Sequence, residues 1–240
     1  MALNSKYDKE IIMKIFADGA DIASMEKVLN KYHVSGFTTN PSLMVKAGVE
    51  NYLEFAQEAV SKFNVPISFE VFSDDFEEMY NQATKLNSIG KNVYVKIPVS
   101  NTKGDCSASL VKSLSDEGVK VNVTAIFTTE QVEKFYNIIN HSTPSIMSIF
   151  AGRIADTLRD PVYTVKEAVT ICKHPNCEVL WASARQVLDV LKAKQSGCDI
   201  ITLFYNFIEK FDLIDKNLDE FSLDTIKTFY EDARKAGYSL

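Results

Sequence analysis

Short runs rich in β-branched and aromatic residues alternate with helix-like stretches along nearly the whole chain of 240 residues. The predicted strands begin roughly 20 to 30 residues apart, which is the spacing of consecutive βα units. They span residues 14–18, 36–40, 67–71, 93–98, 121–124, 146–150, 179–183 and 200–203. The predicted helices span residues 21–32, 50–63, 76–89, 107–117, 129–138, 165–173 and 184–195. Eight alternations with short connections predict an α/β protein, a single (β/α)8 TIM barrel rather than an open doubly wound sheet.

Two segments lie outside the predicted barrel. Residues 1–13 predict a short helical extension, and residues 223–236 predict an amphipathic helix within a tail of about residues 222–240. Apolar side chains recur there at helical spacing, so this helix either packs on its own barrel or forms a subunit contact. No linker rich in Pro, Gly or Ser divides the chain, and no Gly-rich dinucleotide loop follows the first strand. We therefore expect residues 1–240 to form one domain.

Composition narrows the partners and the location. The chain carries 26 basic and 32 acidic residues, a net charge of −6, which weighs against nucleic-acid and membrane partners. No apolar run reaches the ~18 residues of a membrane span, and the first residues lack the order of a signal peptide. We therefore expect a cytoplasmic protein. The four cysteines and three histidines are too sparse for a disulfide framework or a zinc site, so we expect no metal and no cofactor.

Alternation along the fourth strand points a lysine into the barrel. Val93, Val95 and Ile97 share the parity expected to face the helices, so Tyr94 and Lys96 are predicted to face the barrel axis. An inward lysine loses hydration, and desolvation favours its neutral amine. A neutral amine is the nucleophile that forms a Schiff base with a ketone or aldehyde. The alternative interpretation is an ordinary surface lysine.

The same alternation places further polar groups where strands end. The predicted inward positions are Phe16, Asp18, Thr38, Asn40, Ser68, Glu70, Asn122, Thr124, Ser148, Phe150, Trp181 and Ser183. In barrel enzymes the rim at the strand C-termini holds the active site, so these residues predict a catalytic mouth. Arg153 and Arg185 follow the sixth and seventh strands. With Ser183 they predict a clamp for the phosphate of a sugar phosphate, the alternative being two surface salt bridges.

Seven segments between about residues 14 and 205 resemble the transaldolase family. They are 17–22 (ADGADI), 38–43 (TTNPSL), 69–71 (FEV), 95–98 (VKIP), 122–124 (NVT), 150–154 (FAGRI) and 182–185 (ASAR). The TTNPS and GRI elements are the specific ones. The resemblance implies a metal-free, aldolase-type barrel that moves a dihydroxyacetone unit between sugar phosphates. The short chain is similar to the small transaldolase subfamily, which also contains fructose-6-phosphate aldolases.

The resemblance also implies a role for each matching residue. Lys96 matches the Schiff-base lysine, Asp18 matches the base that acts in carbon–carbon cleavage, and Glu70 with Thr124 matches the pair that moves protons through a water. The implied substrate-binding residues are Asn40, Asn122 and Ser148 for the dihydroxyacetone hydroxyls, and Arg153, Ser183 and Arg185 for the phosphate. Thr38 and Phe150, with the same inward parity, are counted with them.

Three residues favour transfer over simple aldol cleavage. Aldolase-type relatives tend to carry Gln, Gly and Tyr where this chain has Glu70, Asn122 and Phe150. Phe150 has no hydroxyl to help protonate the enamine that carbon–carbon cleavage leaves on the Schiff-base lysine. We therefore expect transfer between sedoheptulose 7-phosphate or fructose 6-phosphate and glyceraldehyde 3-phosphate or erythrose 4-phosphate, in the non-oxidative pentose phosphate pathway. The alternatives are an aldolase that releases free dihydroxyacetone and a non-catalytic sugar-phosphate-binding barrel.

The resemblance carries an expectation about assembly and two departures from the family pattern. Relatives of this length resemble decamers built from pentameric rings, whereas longer transaldolases resemble dimers, so we expect a homo-oligomer. Trp181 and Ala184 stand where a small and an aromatic residue are common. Both departures flank the predicted phosphate site.

Overall fold

Eight parallel strands form a closed barrel in the computed structural model, which describes residues 13–240. The strands are β1 (Lys14–Asp18), β2 (Gly36–Thr38), β3 (Ile67–Glu70), β4 (Val93–Pro98), β5 (Val121–Ile126), β6 (Ser145–Ile149), β7 (Cys177–Trp181) and β8 (Ile200–Phe204). Each strand pairs with the next in sequence, and β8 pairs with β1. The predicted (β/α)8 barrel is confirmed. Of the predicted N-terminal extension, residues 1–12 lie outside the described residues.

Helices surround this sheet in the order expected of a βα barrel. They are α1 (Ile22–Tyr32), α2 (Pro41–Lys46), α3 (Tyr52–Lys62), α4 (Phe76–Asn87), α5 (Ala108–Asp116), α6 (Thr129–Tyr136), α7 (Ala151–Ala155), α8 (Pro161–Ile171), α9 (Asp189–Gln195), α10 (Tyr205–Ile208) and α11 (Leu218–Lys235), with a 3₁₀ helix at Glu209–Leu213. Many begin at a polar cap. The Asp21 carboxylate accepts the Ser24 N–H at 2.7 Å, and Thr128 with Gln131 forms a capping box.

The core has two shells, one inside the barrel and one between the sheet and the helices. The inner shell contains Phe16, Tyr94, Ile146, Leu180 and Ile200. The outer shell takes the other parity of each strand, with Val93, Val95 and Ile97 from β4 completely buried. The predicted facing of β4 is therefore correct. On β1, β4, β6 and β8 the next inward residue after the apolar one is polar, so polar side chains lie nearer the C-terminal ends of these strands.

The prediction that Trp181 points into the barrel is wrong. Trp181 packs in the outer shell with Cys177 and Val179, whereas Leu180 of the same strand belongs to the inner shell. Alternation continues through Ala182, which belongs to the inner shell with Leu180, and ends at Ser183, which adopts a left-handed backbone conformation with φ of 61°. This turn brings the Ser183 side chain to the barrel mouth although Trp181, two residues earlier, faces the helices. The two residues therefore do not share one facing, although strict alternation predicts that they do. Ala184, the second departure, is also buried in the outer shell.

Helix α11 stands apart from the rest of the described chain. It is 18 residues long and none of them is buried, so it does not pack on its own barrel through a covered face. Leu218, Ile226, Phe229 and Tyr230 are 60% or more exposed. Within residues 13–240 no helix combines the length and apolar character needed to cross a membrane.

Candidate active site

A cavity of about 510 Å³ opens at the end of the barrel where the strands finish. Eleven of the twelve predicted site residues line it: Asp18, Thr38, Asn40, Glu70, Lys96, Thr124, Ser148, Phe150, Arg153, Ser183 and Arg185. They come from strands β1 to β7 or from the residues that follow them. The twelfth, Asn122, is completely buried and does not line the cavity.

Lys96 lies inside the barrel with only 6% of its surface exposed. Its Nζ atom is 2.9 Å from Glu70 Oε2 and donates a hydrogen bond to the Thr39 carbonyl oxygen at 2.8 Å. The β3–β4 register makes Glu70 and Lys96 direct neighbours across the sheet. Two acceptor oxygens suit an ammonium group, and the adjacent carboxylate can accept its proton. The geometry thus offers a route from the ammonium to the free amine.

Asp18 ends β1 on the same rim. Burial raises the pKa of its carboxyl group above the ordinary value of 3.8, while the charge of Lys96 and a hydrogen bond from Thr38 act in the opposite direction. That bond runs from Thr38 Oγ1 to Asp18 Oδ1 at 2.8 Å, and Thr38 Oγ1 also lies 2.6 Å from Thr202 Oγ1. A carboxylate with a raised pKa is a better proton acceptor near neutral pH than an ordinary aspartate.

Thr124 lines the cavity at its regular inward position, directly before an irregularity in β5. The register between β5 and β6 shifts between Val123 and Ile126, and Ala125 has a positive φ of 59°. Such bulges often end regular pairing at the rim of a barrel. The Thr124 hydroxyl is buried and has no hydrogen-bond partner within residues 13–240. An unpartnered buried hydroxyl is costly, so it marks a position suited to a polar atom of a substrate or to a water.

Asn122 links three strands inside the barrel. It is completely buried, accepts a hydrogen bond from Ser148 Oγ at 2.6 Å and donates one to Ser68 Oγ at 3.0 Å. Asn122 therefore fixes the Ser148 hydroxyl, which lines the cavity. Direct contact between Asn122 and a sugar hydroxyl stays a prediction.

Asn40 combines a structural role with a place on the cavity wall. Its side-chain oxygen accepts the Leu43 N–H at 3.0 Å and caps α2. Its amide NH₂ has no protein acceptor among the residues that the structure describes, so two donors remain for a ligand.

The three predicted phosphate ligands lie together at one side of the mouth. The Arg185 guanidinium forms an ion pair with Asp156, with Nη2 to Oδ2 at 2.6 Å and Nε to Oδ2 at 3.1 Å. The Arg153 guanidinium carbon lies 5.7 Å from the centre of the Phe150 ring. In the described part of the chain, Arg153 has no carboxylate within 4.0 Å. The salt-bridge interpretation thus applies to Arg185, which nevertheless lines the cavity.

Gly152 brings α7 against the end of β7 beside these residues. A Cβ atom at Gly152 would stand 1.6 Å from the Ser183 carbonyl oxygen. The Gly152 N–H also donates to the Ala182 carbonyl at 3.3 Å. Only glycine permits this approach, which sets Arg153 and Ser183 side by side.

Sequence reasoning missed part of the lining. The additional lining residues are Pro41, Ser42, Leu43, Lys46, Leu180, Ala182, Thr202 and Phe204. Thr202 and Phe204 share the inward parity of Ile200, so alternation along β8 could have found them. The first four belong to α2, a helix of six residues that was not predicted.

A closed parallel barrel with a buried lysine, two carboxylates and two arginines at its C-terminal mouth defines a (β/α)8-barrel enzyme. Residues 15–240 match the family model described as transaldolase/fructose-6-phosphate aldolase. The chain belongs to this family, and it is a transaldolase-type enzyme.

Curated relatives cover most of the chain. It is 34% identical over 230 residues to a probable transaldolase of Thermoanaerobacter sp., covering 95% of this chain and 100% of the relative. It is 35% identical over 193 residues to a probable transaldolase of Carboxydothermus hydrogenoformans, covering 80% and 86%. These matches agree with the family resemblance seen in the sequence.

Solved structures share the fold at low identity. A mutant tryptophan synthase α-subunit from Pyrococcus furiosus superposes with a TM-score of 0.59 at 13% identity, covering 88% of this chain and 94% of that one. The structure titled KGPDC from Streptococcus mutans gives a TM-score of 0.56 at 10% identity, covering 82% and 90%. At such identities the likeness concerns the barrel alone.

Proposed function

We propose that this protein is a transaldolase that moves a dihydroxyacetone unit through a Schiff base on Lys96. The donor is sedoheptulose 7-phosphate or fructose 6-phosphate, and the acceptor is glyceraldehyde 3-phosphate or erythrose 4-phosphate, as in the non-oxidative pentose phosphate pathway. One observation carries the proposal: a buried lysine in contact with a carboxylate, in a cavity that also holds Asp18.

The contact between Lys96 and Glu70 supports the first step. The ammonium passes a proton to the Glu70 carboxylate across 2.9 Å, and the free amine attacks the ketone carbon of the donor. The former carbonyl oxygen takes up one proton from the attacking nitrogen and a second from Glu70 and leaves as water, which converts the carbinolamine to an iminium. The unpartnered Thr124 hydroxyl is suited to hold that water.

Asp18 then serves in carbon–carbon cleavage. Its carboxylate takes the proton of the donor's C4 hydroxyl, the C3–C4 bond breaks, and the electron pair moves into the iminium to give an enamine. The aldose phosphate leaves, a second aldose phosphate enters, and the same steps run in reverse. The raised pKa of Asp18 suits a group that both takes and returns this proton.

The surroundings of the enamine favour transfer over release. Phe150 lines the cavity and presents no hydroxyl, and its ring lies 5.7 Å from that of Phe127. Arg153 and Arg185 offer charge for the phosphate that both donor and acceptor carry. An enamine in such surroundings awaits an acceptor instead of being protonated.

Borohydride trapping tests the lysine. Reduction in the presence of fructose 6-phosphate should add the mass of a reduced dihydroxyacetone unit to the peptide that contains Lys96. Lys96→Ala should abolish both the adduct and the activity. Lys46→Ala, which removes another cavity-lining lysine, is the matched control and should retain the adduct. An active Lys96→Ala enzyme would refute the proposal.

Acceptor dependence separates transfer from aldol cleavage. Fructose 6-phosphate turnover is measured with and without erythrose 4-phosphate. A transaldolase turns over only with the acceptor, whereas an aldolase releases dihydroxyacetone without it. Binding of fructose 6-phosphate with no turnover in either arm would identify a non-catalytic barrel.

We also propose a homo-oligomeric, cytoplasmic enzyme whose partners are sugar phosphates rather than nucleic acid or membranes. Most helical stability in proteins comes from packing of an amphipathic face, and the apolar side of α11 is exposed, so a covering surface would stabilise it. A second copy of the chain supplies one, in a pentamer or decamer or in a dimer. Light scattering gives the copy number, and cell fractionation gives the location.

A further inference from the structure

A buried carboxylate lies directly behind the phosphate side of the cavity. Asp189 is the first residue of α9, is only 4% exposed and does not line the cavity. Its Oδ2 atom accepts the backbone N–H of Arg185 at 2.7 Å and that of Gln186 at 3.3 Å. Its Oδ1 atom accepts the Gln186 side-chain amide at 3.4 Å.

This arrangement is unusual for a carboxylate. No lysine, arginine or histidine nitrogen lies within 4.0 Å of Asp189 in the described residues, so its partners are N–H groups of one short loop. Burying a carboxylate without an ion pair is expensive, and the hydrogen bonds that offset this cost all tie down residues 185 and 186. The cost of burying Asp189 is therefore offset by hydrogen bonds that fix the conformation of residues 185 and 186.

Arg185 is consequently held at two points. Asp189 fixes its main chain, and Asp156 holds its guanidinium. The hydrogen bonds that Arg185 donates to Asp156 and the charges of both carboxylates raise the pKa of Arg185 above its ordinary value, while burial lowers it. The loop is also constrained upstream, where Ser183 has a φ of 61° and contacts Gly152.

We propose that Asp189 is a positioning residue that fixes Arg185 and thereby sets the preference for phosphorylated over unphosphorylated substrates. This inference rests on the proposed function. Asp189 does not touch the substrate. It acts by keeping the Arg185 main chain, and with it the Ser183–Arg185 turn, at one distance from Arg153.

Two variants test the role. Asp189→Ala removes all three hydrogen bonds, whereas Asp189→Asn keeps an oxygen that can accept the Arg185 N–H. The readout is kcat and KM for glyceraldehyde 3-phosphate and for glyceraldehyde, each as acceptor with saturating sedoheptulose 7-phosphate. Asp189→Ala should raise KM for the phosphorylated acceptor about tenfold, leave kcat within about twofold and change glyceraldehyde kinetics little. Asp189→Asn should restore most of the loss.

Asp75→Ala is the matched control. Asp75 caps α4 and also accepts two backbone N–H groups, from Glu77 at 2.9 Å and Glu78 at 3.0 Å, on a loop that lies outside the phosphate site. It should leave the ratio of the two KM values unchanged. An equal loss with both acceptors in Asp189→Ala, or no loss in a folded variant, would overturn the inference.

Binding of inorganic phosphate separates this inference from the proposed function. Calorimetry on the unmodified protein and on Asp189→Ala should give an affinity about tenfold lower for the variant, whether or not either protein catalyses transfer. Absent activity with that loss of affinity would reject the transaldolase proposal and retain the positioning role. Intact activity with unchanged phosphate affinity would retain the transaldolase proposal and reject the positioning role.

Discussion

Replacing Gly152 by alanine tests whether the contact between α7 and the end of β7 sets the phosphate site. The new Cβ would stand 1.6 Å from the Ser183 carbonyl oxygen, and real Cβ contacts are not shorter than 3.0 Å. The two backbones must therefore separate by about 1.4 Å, the difference between these distances. Alanine itself suits a helix, so any effect of Gly152→Ala comes from this displacement.

The displacement moves Arg153 relative to Ser183 and Arg185. Misplacing a substrate-positioning group by about 1 Å can cost about a hundredfold in rate, so kcat/KM for phosphorylated substrates should fall by about that factor. Overpacking at a buried contact typically costs about 1–3 kcal/mol of folding free energy, so the variant should still fold.

The assay is transfer from fructose 6-phosphate to erythrose 4-phosphate, with thermal unfolding measured in parallel. Gly118→Ala is the control, because Gly118 has a φ of 82° and open space around the added Cβ. It introduces backbone strain of ordinary size without displacing a neighbour and should keep nearly full activity. A Gly152→Ala enzyme with unchanged KM and kcat would refute the link between this contact and phosphate binding.

Four further outcomes follow, from particular contacts and from the exposed helix α11. Thr38→Val removes a hydrogen bond that lowers the pKa of Asp18, so the acidic limb of the kcat/KM profile should move to higher pH; a shift to lower pH would contradict the role of Asp18 as base. Because the folded-state pKa of Asp18 is raised, its favourable contribution to stability is present below pH 3.8 and is lost as pH rises, so Asp18→Asn should abolish activity yet raise Tm at pH 7. Asp74→Asn should lower Tm at pH 7, because hydrogen bonds from Thr102 lower the pKa of Asp74 and the stability that Asp74 contributes is lost only as pH falls. Changes of Tm in the same direction for Asp18→Asn and Asp74→Asn would refute this reasoning. A chain lacking residues 222–240 should form smaller assemblies in light scattering, and an unchanged mass would exclude α11 as the subunit contact.

The barrel could be predicted because its strands alternate clearly. β1 and β4 match their predicted bounds at both ends, and Tyr94 and Val95 face the sides that alternation assigned to them. In such strands a polar residue with inward parity stands out, which is how Lys96 and Glu70 were found. The register of β3 with β4 places these two side chains next to each other, so their charges form an ion pair inside the barrel.

The features that could not be predicted are those where alternation breaks. Ser183 and Ala125 have positive φ values without being glycine, so local sequence gives no sign of either turn. The parity of Trp181 was lost for this reason. Helix α9 begins at Asp189 rather than at residue 184, because the intervening residues form the loop that Asp189 ties down.

Short helices and long-range contacts formed the second limit. Helices α2 and α7 have six and five residues, too few to show a helical period. The ion pair between Arg185 and Asp156 joins residues 29 positions apart and depends on how α7 sits against the β7 loop. Such a contact follows from tertiary packing alone.

The pairing of Glu70 with Lys96 across adjacent strands has a consequence for how this activity could be lost during evolution. Removing one member of a buried ion pair typically costs about 3–5 kcal/mol, whereas replacing both with apolar residues is often neutral or stabilising. A descendant that abandons the reaction would gain little from losing only one of the two. We therefore expect apolar residues to replace both Glu70 and Lys96 together, which would leave an inactive barrel at least as stable as its ancestor.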